Sequence, residues 1–209
     1  IGLRPINNVV DITNYILFET GQPLHAFDAE AVKGKKVVVK KLKKDTPFTT
    51  LDNVERKLTA NDLMICNESE GMCIGGVFGG LHSGVTTSTT AIFLESACFD
   101  PRTIRRTVRH HDLHTDASFR FERGTDVQAT IFAIKRAALL MREICGGRIS
   151  SQIKDIYPNP VKPAEVSISF DRLNRLAGQQ IPADQTLSIL DDLGFELLKH
   201  EGDEATLRV

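Results

Sequence analysis

Two side chains with useful chemistry stand out because the sequence around them is apolar. His25 lies in QPLHAFD at residues 22–28, and Glu95 lies in FLESA at residues 93–97. The ordinary pKa of histidine is close to neutrality, so His25 could orient a water molecule or act as a general base. A lone histidine in an apolar loop is more often a buried structural residue. A carboxylate in the surroundings of Glu95 must be paired, protonated or used in binding.

A run of glycines, IGGVFGG at residues 74–80, directly follows a predicted strand. A phosphate-binding loop would end in Gly-Lys followed by Ser or Thr, and a dinucleotide-binding loop would show GxGxxG at the start of a helix. The run has neither pattern. Its glycines would let the backbone lie close to a ligand with its N–H groups free. A tight crossover within the sheet is the simpler explanation.

The element that must position His25 is a helix predicted to begin at Pro5 and to end at Gly21, residue types that favour those two positions. Its predicted core-facing stripe consists of Ile6, Val9, Val10, Thr13, Ile16 and Leu17. Its other face carries Asn7, Asn8, Asp11 and Asn14. Asparagine is a poor helix former that both donates and accepts hydrogen bonds. This face is therefore either a hydrogen-bonding wall or a set of ties to neighbouring loops.

A second helix is predicted to begin at Asp100-Pro101, a pair typical of an N-cap and a first turn, and to run to about Arg109. Four arginines share one of its faces: Arg102, Arg105, Arg106 and Arg109. Such a face could neutralise RNA phosphates, with an affinity that falls steeply as salt rises. A plain solvated surface is the more common explanation.

The segment TDASFRFERG at residues 115–124 combines charged and aromatic residues. We expect Arg120, Glu122 and Arg123 to form a buried ion network that fixes it. The neighbouring histidines, His110, His111 and His114, lack the spacing of a metalloprotease helix, so no metal site is predicted.

The remaining pattern predicts an α+β fold. Short β-rich runs before residue 95 predict a layer of strands, with a hairpin turn at Asp52-Asn53. A long helix is predicted over residues 129–145, ended by two glycines, and a strand over residues 149–157. The fold class is therefore a β-rich domain with packed helices, followed by a small α+β domain.

One linker divides the chain. Residues 158–163, PNPVKP, separate a larger domain, residues 1–157, from a smaller piece, residues 164–209. A first residue that is not Met, and a strand still in progress at the last residue, predict that the chain is a piece of a longer protein.

The composition is ordinary for a globular protein, with 41% hydrophobic and 25% charged residues. A formal net charge of −1 means that any RNA contact must come from a local patch. The four cysteines form no CxxC pair, so the sequence predicts neither a zinc site nor a disulfide framework. No run has the length of a membrane span and no signal peptide pattern is present, so the predicted compartment is the cytoplasm.

Four stretches of the chain carry a family resemblance. They are RPINNVVDITNYILFETGQPLHAFD at residues 4–28, IGGVFGG at 74–80, FLESACFDP at 93–101 and HTDASFRFERG at 114–124. Together they resemble the editing domain in the beta chain of bacterial-type phenylalanyl-tRNA synthetase, in the order of that family and over nearly the whole chain. The resemblance implies that residues 1–157 are the editing domain and that residues 164–209 begin the small domain that follows it.

The resemblance also implies roles for residues that recognise a tyrosine. In the resembling synthetases a glutamate and a glycine are described at the phenol oxygen, and the matching residues here are Glu95, as a carboxylate acceptor, and Gly76, through its N–H. Thr115 and Ala117 match residues that wall the ring.

A second matching group implies the ester end of the substrate. Thr13 and His25, with Arg4 and Asn14, match residues that lie there in the family. We give His25 a positioning role in preference to general-base catalysis, because no nucleophilic Ser or Cys with a paired base is present. Hydrolysis would then be attack by a held water molecule on the ester, helped by a terminal hydroxyl of the tRNA itself.

The implied function is proofreading hydrolysis of tyrosyl-tRNA(Phe). A pocket shaped for phenylalanine rejects tyrosine by only about a hundredfold, whereas a second pocket that requires the hydroxyl reverses the preference. The alternative function is a non-catalytic module that docks tRNA or the partner chain. The implied partners are tRNA(Phe), its mischarged tyrosyl ester and the synthetase alpha chain, with no membrane. No cofactor is expected in this chain, while the whole enzyme uses ATP and Mg²⁺.

Overall fold

The computed structural model describes residues 1–209 and confirms the α+β class. The six helices are α1 (Asn8–Thr20), α2 (Pro101–His111), α3 (Asp116–Phe121), α4 (Ala129–Cys145), α5 (Phe170–Ala177) and α6 (Ala183–Asp192). The eleven strands are β1 (Leu24–Asp28), β2 (Val38–Lys41), β3 (Pro47–Thr49), β4 (Glu55–Lys57), β5 (Leu63–Cys66), β6 (Gly71–Ile74), β7 (Phe78–Gly79), β8 (Ile92–Ser96), β9 (Glu165–Ser169), β10 (Glu196–Glu201) and β11 (Glu204–Arg208). None of the helices is both long and apolar enough to cross a membrane.

The chain divides into two units, Ile1–Ile153 and Lys154–Val209. The first unit holds three antiparallel arrangements: a four-stranded sheet in the order β2-β5-β6-β7, the β3-β4 hairpin and the β1-β8 pair. The second unit holds an antiparallel sheet in the order β10-β11-β9, together with α5 and α6. The assignment of residues 1–157 as an editing domain and of 158–163 as the linker stays a prediction.

Helix α1 begins later than the sequence predicts. Asn7 is the N-cap and its Oδ1 accepts a hydrogen bond from the Val10 N–H at 2.9 Å, so Pro5 precedes the helix. Ile6 is 70% exposed, so its predicted place in the core-facing stripe is wrong. The Asp11 Oδ1 accepts from the Ile6 N–H at 2.9 Å. The polar face therefore ties down the chain at the start of the helix, which favours the second of the two interpretations.

The end of α1 agrees with the prediction, because Gly21 adopts the left-handed conformation (φ 76°) and its N–H bonds to the Leu17 carbonyl. The buried face of α1 packs on α4 through Ile12 and Ile16 against Ala133 and Ala137. These small alanines let the two helices approach closely. Since α1 leads directly into β1, this contact fixes where β1 starts.

Helix α2 forms as predicted, with the Asp100 carboxylate accepting from the Thr103 N–H at 2.8 Å. A buried carboxylate holds the helix against the sheet. Asp62, in the loop before β5, accepts hydrogen bonds from the Thr107 hydroxyl and from His111, both at 2.8 Å. The backbone N–H of Thr59 donates a third at 2.7 Å. Thr107 and His111 are four residues apart, so one carboxylate contacts two turns of the helix.

Two further predictions for residues 1–157 are wrong, and one helix was not predicted. Residues 149–157 form no strand. The short helix α3 was not predicted; its start is a capping box in which Thr115 and Ser118 each accept from the other's backbone N–H. The expected buried network in residues 115–124 is absent, because Arg120 pairs with Asp116 and Arg123 pairs with Glu122 at the surface. The six-residue helix turns its charged side chains outward, while Phe121 faces the core.

Candidate functional site

The β1-β8 pair places the two side chains identified first directly opposite each other. In this antiparallel register His25 pairs with Glu95, and Ala26 pairs with Leu94. Directly opposed residues point to the same face of a sheet, with Cβ atoms about 4.5–5.5 Å apart. His25 therefore lies on a strand and not in the loop that its sequence suggests. The two side chains form neither an ion pair nor a hydrogen bond with each other.

Both polar ends are buried and have no protein partner. The Nε2 of His25 and the Oε2 of Glu95 are inaccessible to solvent and make no hydrogen bond. Burial lowers the pKa of His25 to about 4 and raises the pKa of Glu95 to about 8. At pH 7 the imidazole is neutral and the glutamic acid is mostly neutral. A protonated Glu95 is one of the three alternatives left open from its apolar surroundings, and it differs from the carboxylate acceptor that the resemblance implied.

The β6-β7 hairpin covers this pair of residues. A Cβ added at Gly79 would lie 2.8 Å from the Cδ1 of Leu51 and 3.1 Å from the Cε1 of His25, so the missing side chain helps the hairpin to lie this close. Cys73, the cross-strand partner of Gly79, is fully buried, and its pKa is raised by burial and then by the nearby Glu95. The thiol is therefore a neutral and unreactive wall of the site.

The turn of the same hairpin contains Gly76. Its φ of 69° is in the left-handed region, and a Cβ there would lie 2.7 Å from the Phe99 ring and 2.9 Å from Ile104. The N–H groups of Gly75 and Val77 bond to carbonyls, whereas the N–H of Gly76 makes no hydrogen bond within the chain. Gly76 thus offers a free donor at a position where no other residue fits.

Thr115 and Ala117 are attached to this turn from the other side. The Thr115 hydroxyl donates to the Val77 carbonyl at 3.1 Å, next to Gly76. Ala117 packs against the main core cluster, which includes Val77 and Phe99. The hairpin therefore lies next to two groups of predicted site residues. His25 and Glu95, on β1 and β8, lie beside its strands, and Thr115 and Ala117 lie beside its turn.

Comparison with known proteins agrees with the resemblance in sequence. Residues 1–146 match the B3/4 domain family. The chain belongs to this family. It is 55% identical over its whole length to the phenylalanine–tRNA ligase beta subunit of Porphyromonas gingivalis and 53% identical to that of Bacteroides thetaiotaomicron. It covers 26% of each of these proteins, and so spans about a quarter of their length.

A crystal structure of an N-terminal fragment of the phenylalanyl-tRNA synthetase beta subunit from Pyrococcus horikoshii overlaps with the chain at a TM-score of 0.47 and 14% identity. The overlap covers 96% of this chain and 58% of that chain. The predicted resemblance to the bacterial-type beta chain is confirmed by the sequence relatives.

Three predicted residues of this B3/4 domain stand apart from the pair on β1 and β8. The Thr13 hydroxyl donates to the Val10 carbonyl within α1, and Arg4 lies in the exposed segment before that helix. Asn14 is half-buried on α1. None of the three makes a hydrogen bond to His25 or Glu95, so their place at an ester end stays a prediction.

Two features of the B3/4 domain were missed from the sequence. Gln22 is buried, and its Nε2 donates to the Ala97 carbonyl at 2.7 Å, which joins the start of β1 to the end of β8. Phe99 and Phe121 pack edge to face at 4.9 Å beside Gly76. Neither contact follows from periodicity, because each joins segments that are distant in sequence. No group of three or more His, Cys, Asp or Glu residues is arranged to hold a metal ion.

Two surface clefts of the B3/4 domain lie beside α2 and α3. One, of about 370 Å³, is lined by Arg105, Val108, Arg109, His114, Glu122 and Arg123. The other, of about 270 Å³, is lined by His114, Thr115, Asp116, Ser118, Phe119 and Glu122. His25 and Glu95 line neither cleft. Thr115 lines the second cleft while it contacts the hairpin turn, so it connects the surface with the interior.

Proposed function

We propose that this B3/4 domain hydrolyses the ester of tyrosyl-tRNA(Phe) as the proofreading part of a phenylalanine–tRNA ligase beta subunit. The observation that carries the proposal is that His25 and Glu95 face each other across β1 and β8 with buried, unpartnered polar atoms. Buried polar atoms are normally hydrogen-bonded, and exceptions need an explanation. A substrate that supplies the missing hydrogen bonds explains both.

The preference for tyrosine follows from what a phenol supplies. The hydroxyl of tyrosine donates to one oxygen of Glu95, and its own oxygen accepts from the free N–H of Gly76. Phenylalanine would leave both groups unpaired, at a cost of about 1–3 kcal/mol for each buried polar group. Thr115 and Ala117 flank the ring, and the small side chain of Ala117 leaves room for it.

The ester is attacked by water without a covalent intermediate on the protein. His25 accepts a hydrogen bond from the water and orients it, a positioning role that suits an imidazole whose pKa is lowered to about 4 by burial. The water oxygen bonds to the carbonyl carbon, the bond to the ribose oxygen breaks, and that oxygen takes up the proton with help from the neighbouring ribose hydroxyl. Arg4, Thr13 and Asn14 hold the ester end.

The rest of the function belongs to the longer protein. The proposal places the domain in a cytoplasmic ligase whose alpha chain attaches phenylalanine to tRNA(Phe) with ATP and Mg²⁺. The competing function is a docking module without catalytic activity. Its support is that the open clefts beside α2 and α3 are not lined by His25 or Glu95. Measured hydrolysis decides between the two.

Replacing Glu95 with alanine tests the recognition step. In the complete ligase we expect Glu95→Ala to lower kcat/KM for hydrolysis of tyrosyl-tRNA(Phe) at least tenfold, because one hydrogen bond to the phenol is lost. Attachment of phenylalanine should change less than twofold. Deacylation and aminoacylation assays measure the two rates, with Glu55→Ala as a control at an exposed carboxylate on β4. Equal loss of both activities, or unchanged hydrolysis, would refute the role of Glu95.

Replacing His25 with glutamine tests the water-positioning step separately. We expect His25→Gln to lower kcat of tyrosyl-tRNA hydrolysis about tenfold while the preference for tyrosyl over phenylalanyl ester is retained, since the phenol contacts are intact. Single-turnover deacylation of both esters measures rate and preference together. An unchanged rate would remove His25 from the reaction, and a changed preference would move it to the recognition end.

A further inference from the structure

A basic and aromatic surface lies next to the proposed site without belonging to it. We call it the arginine–phenylalanine surface, and it consists of Arg105, Arg106, Arg109, Phe119, Arg120 and Arg123. The larger cleft is lined by three of these arginines, and the smaller cleft by Phe119. The two clefts share His114 and Glu122, so they adjoin each other beside α2 and α3.

The aromatic part of this surface alternates rings and guanidinium groups. The guanidinium of Arg123 lies over the Phe119 ring, 3.6 Å from its centroid. The guanidinium of Arg120 lies 4.9 Å from the centroid of Phe18 and 5.7 Å from that of Phe119. Phe119 is 52% exposed despite these contacts. A large exposed ring held by two arginines is a flat, rigid and positively charged platform.

The arginines of α2 form no ion pair within the chain. The carboxylates nearby are already paired, Asp116 with Arg120 and Glu122 with Arg123. Arg105 donates to the Glu122 carbonyl at 2.6 Å and has no carboxylate partner, and Arg106 and Arg109 have none either. The chain as a whole has a net charge of −1, so this positive charge is local. The missing counter-charge must come from solvent or from a bound anion.

We propose that the arginine–phenylalanine surface binds the single-stranded 3′ end of the RNA that carries the ester. Arg105 and Arg109 contact consecutive phosphates, and an unpaired base stacks on Phe119. The strand then passes Thr115, which lines the smaller cleft and bonds to the carbonyl next to Gly76. This inference rests on the proposed function for its direction, since it names the route by which the ester reaches the interior.

The chemistry of the surface favours a single strand over a duplex. Duplex RNA is contacted through phosphates and ribose hydroxyls, whereas single strands combine phosphate contacts with stacking of bases on aromatic side chains. A ring that is half exposed and flanked by guanidinium groups matches the second kind of partner. An acidic protein partner would use the arginines but would give Phe119 no base to stack on.

Binding of a short RNA tests the inference on the 209-residue chain. The probe is a fluorescein-labelled seven-nucleotide RNA that ends in CCA, and its binding is measured by fluorescence anisotropy. The KCl concentration is varied from about 25 to about 200 mM, because binding through phosphate contacts weakens as salt rises. We expect the double reversal Arg105→Glu with Arg109→Glu to weaken binding at least tenfold at the lowest salt. The slope of log K against log salt should fall by about 1.4, or about 0.7 for each lost phosphate contact.

Matched variants elsewhere on the chain show whether RNA binding depends on this surface or only on the total charge of the chain. Lys40→Glu with Lys41→Glu makes the same change in charge at two exposed positions of β2. Phe132→Ala removes a ring that is 61% exposed on α4, as a control for Phe119→Ala. We expect Phe119→Ala to weaken RNA binding about fivefold or more, since one stacked base is worth about 1–3 kcal/mol. Both controls should bind within twofold of the unsubstituted chain.

Three results would overturn the inference: equal weakening by the lysine and arginine reversals, no effect of Phe119→Ala, or equal affinity for a duplex of the same length. Deacylation by the complete ligase gives a second readout, in which the arginine reversal should raise KM for tyrosyl-tRNA and leave kcat within twofold. If neither the unsubstituted enzyme nor any variant hydrolyses the ester, the proposed function is wrong. The RNA-binding measurement still decides whether this surface binds a single strand.

Discussion

Asp62→Ala is expected to lower the free energy of unfolding of the first unit by about 3–5 kcal/mol, since each buried donor that loses its acceptor costs about 1–3 kcal/mol. Asp62 is 1% exposed and accepts hydrogen bonds from Thr59, Thr107 and His111. Alanine would leave all three donors buried without an acceptor. Because Thr107 and His111 belong to α2, the helix would lose its main polar tie to the sheet.

Urea unfolding followed by circular dichroism measures this loss, and amide hydrogen exchange in β5 and β6 assigns it to the first unit. Glu55→Ala, at an exposed carboxylate on β4, should change the free energy by less than 0.5 kcal/mol, as surface substitutions usually do. A change below about 1 kcal/mol for Asp62→Ala would mean that the three hydrogen bonds are not the tie that the structure indicates.

The same carboxylate sets an acid limit on stability. Burial acts to raise the pKa of Asp62, but hydrogen bonds from His111, Thr59 and Thr107 outweigh burial and hold the pKa below its ordinary value of 3.8. A depressed pKa contributes stability above the ordinary value, and this contribution is lost as pH falls through the folded value. The difference between the unsubstituted chain and Asp62→Ala should therefore shrink below about pH 4.

Glu95→Gln is expected to raise the free energy of unfolding at alkaline pH, whereas Asp62→Ala lowers it. Burial raises the pKa of Glu95 from its ordinary value of 4.5 to about 8, so the folded chain keeps a proton that the unfolded chain releases. Stability from this group is complete below pH 4.5 and is lost as pH rises to 8. Glutamine stays neutral throughout. The stability of Glu95→Gln relative to the unsubstituted chain should therefore rise by about 2–4 kcal/mol between pH 5 and pH 9.

Denaturation at a series of pH values measures this difference, and Glu55→Gln provides a control whose difference should not depend on pH. A flat difference for Glu95→Gln would mean that the carboxyl group is ionised in the folded chain. A residue whose replacement stabilises the fold while it reduces proofreading would show the trade between stability and activity that is expected at functional sites.

His25 contributes a second pH dependence to the free energy of unfolding. Burial lowers its pKa from 6.5 to about 4, so its contribution is complete above pH 6.5 and is lost as pH falls to 4. Between pH 4.5 and 6.5 the slopes from His25 and Glu95 have opposite signs and largely cancel. Above pH 6.5 only the slope from Glu95 remains.

The sequence predicted the parts of the fold that depend on neighbouring residues. The N-cap at Asp100 and the left-handed glycines after α1 and α4 follow from the chemistry of a few adjacent positions, and they formed as expected. Helix α3 was missed because its capping box uses Ser118 where the usual signal is Glu or Gln. The strand predicted over residues 149–157 was wrong because β-rich composition without a partner strand does not make a sheet.

The candidate site shows a different limit. Residue types and the family resemblance singled out His25 and Glu95, but only the register of β1 and β8 shows that they face each other. Burial then makes both groups neutral, a property that depends on β6 and β7 covering them from another part of the chain. The contacts of Asp62 with α2 were missed for the same reason, since they join residues more than 40 positions apart.

The pairing of β1 with β8 has a consequence for protein synthesis. About seventy residues separate His25 from Glu95, and β2 to β7 are translated between them. A nascent chain that has emerged only as far as β7 can complete its central sheet, yet its imidazole still has no carboxyl group opposite. Under the proposed function, a ribosome-bound chain could not recognise the phenol of tyrosine before β8 has emerged, so selectivity for the tyrosyl ester would appear in one step.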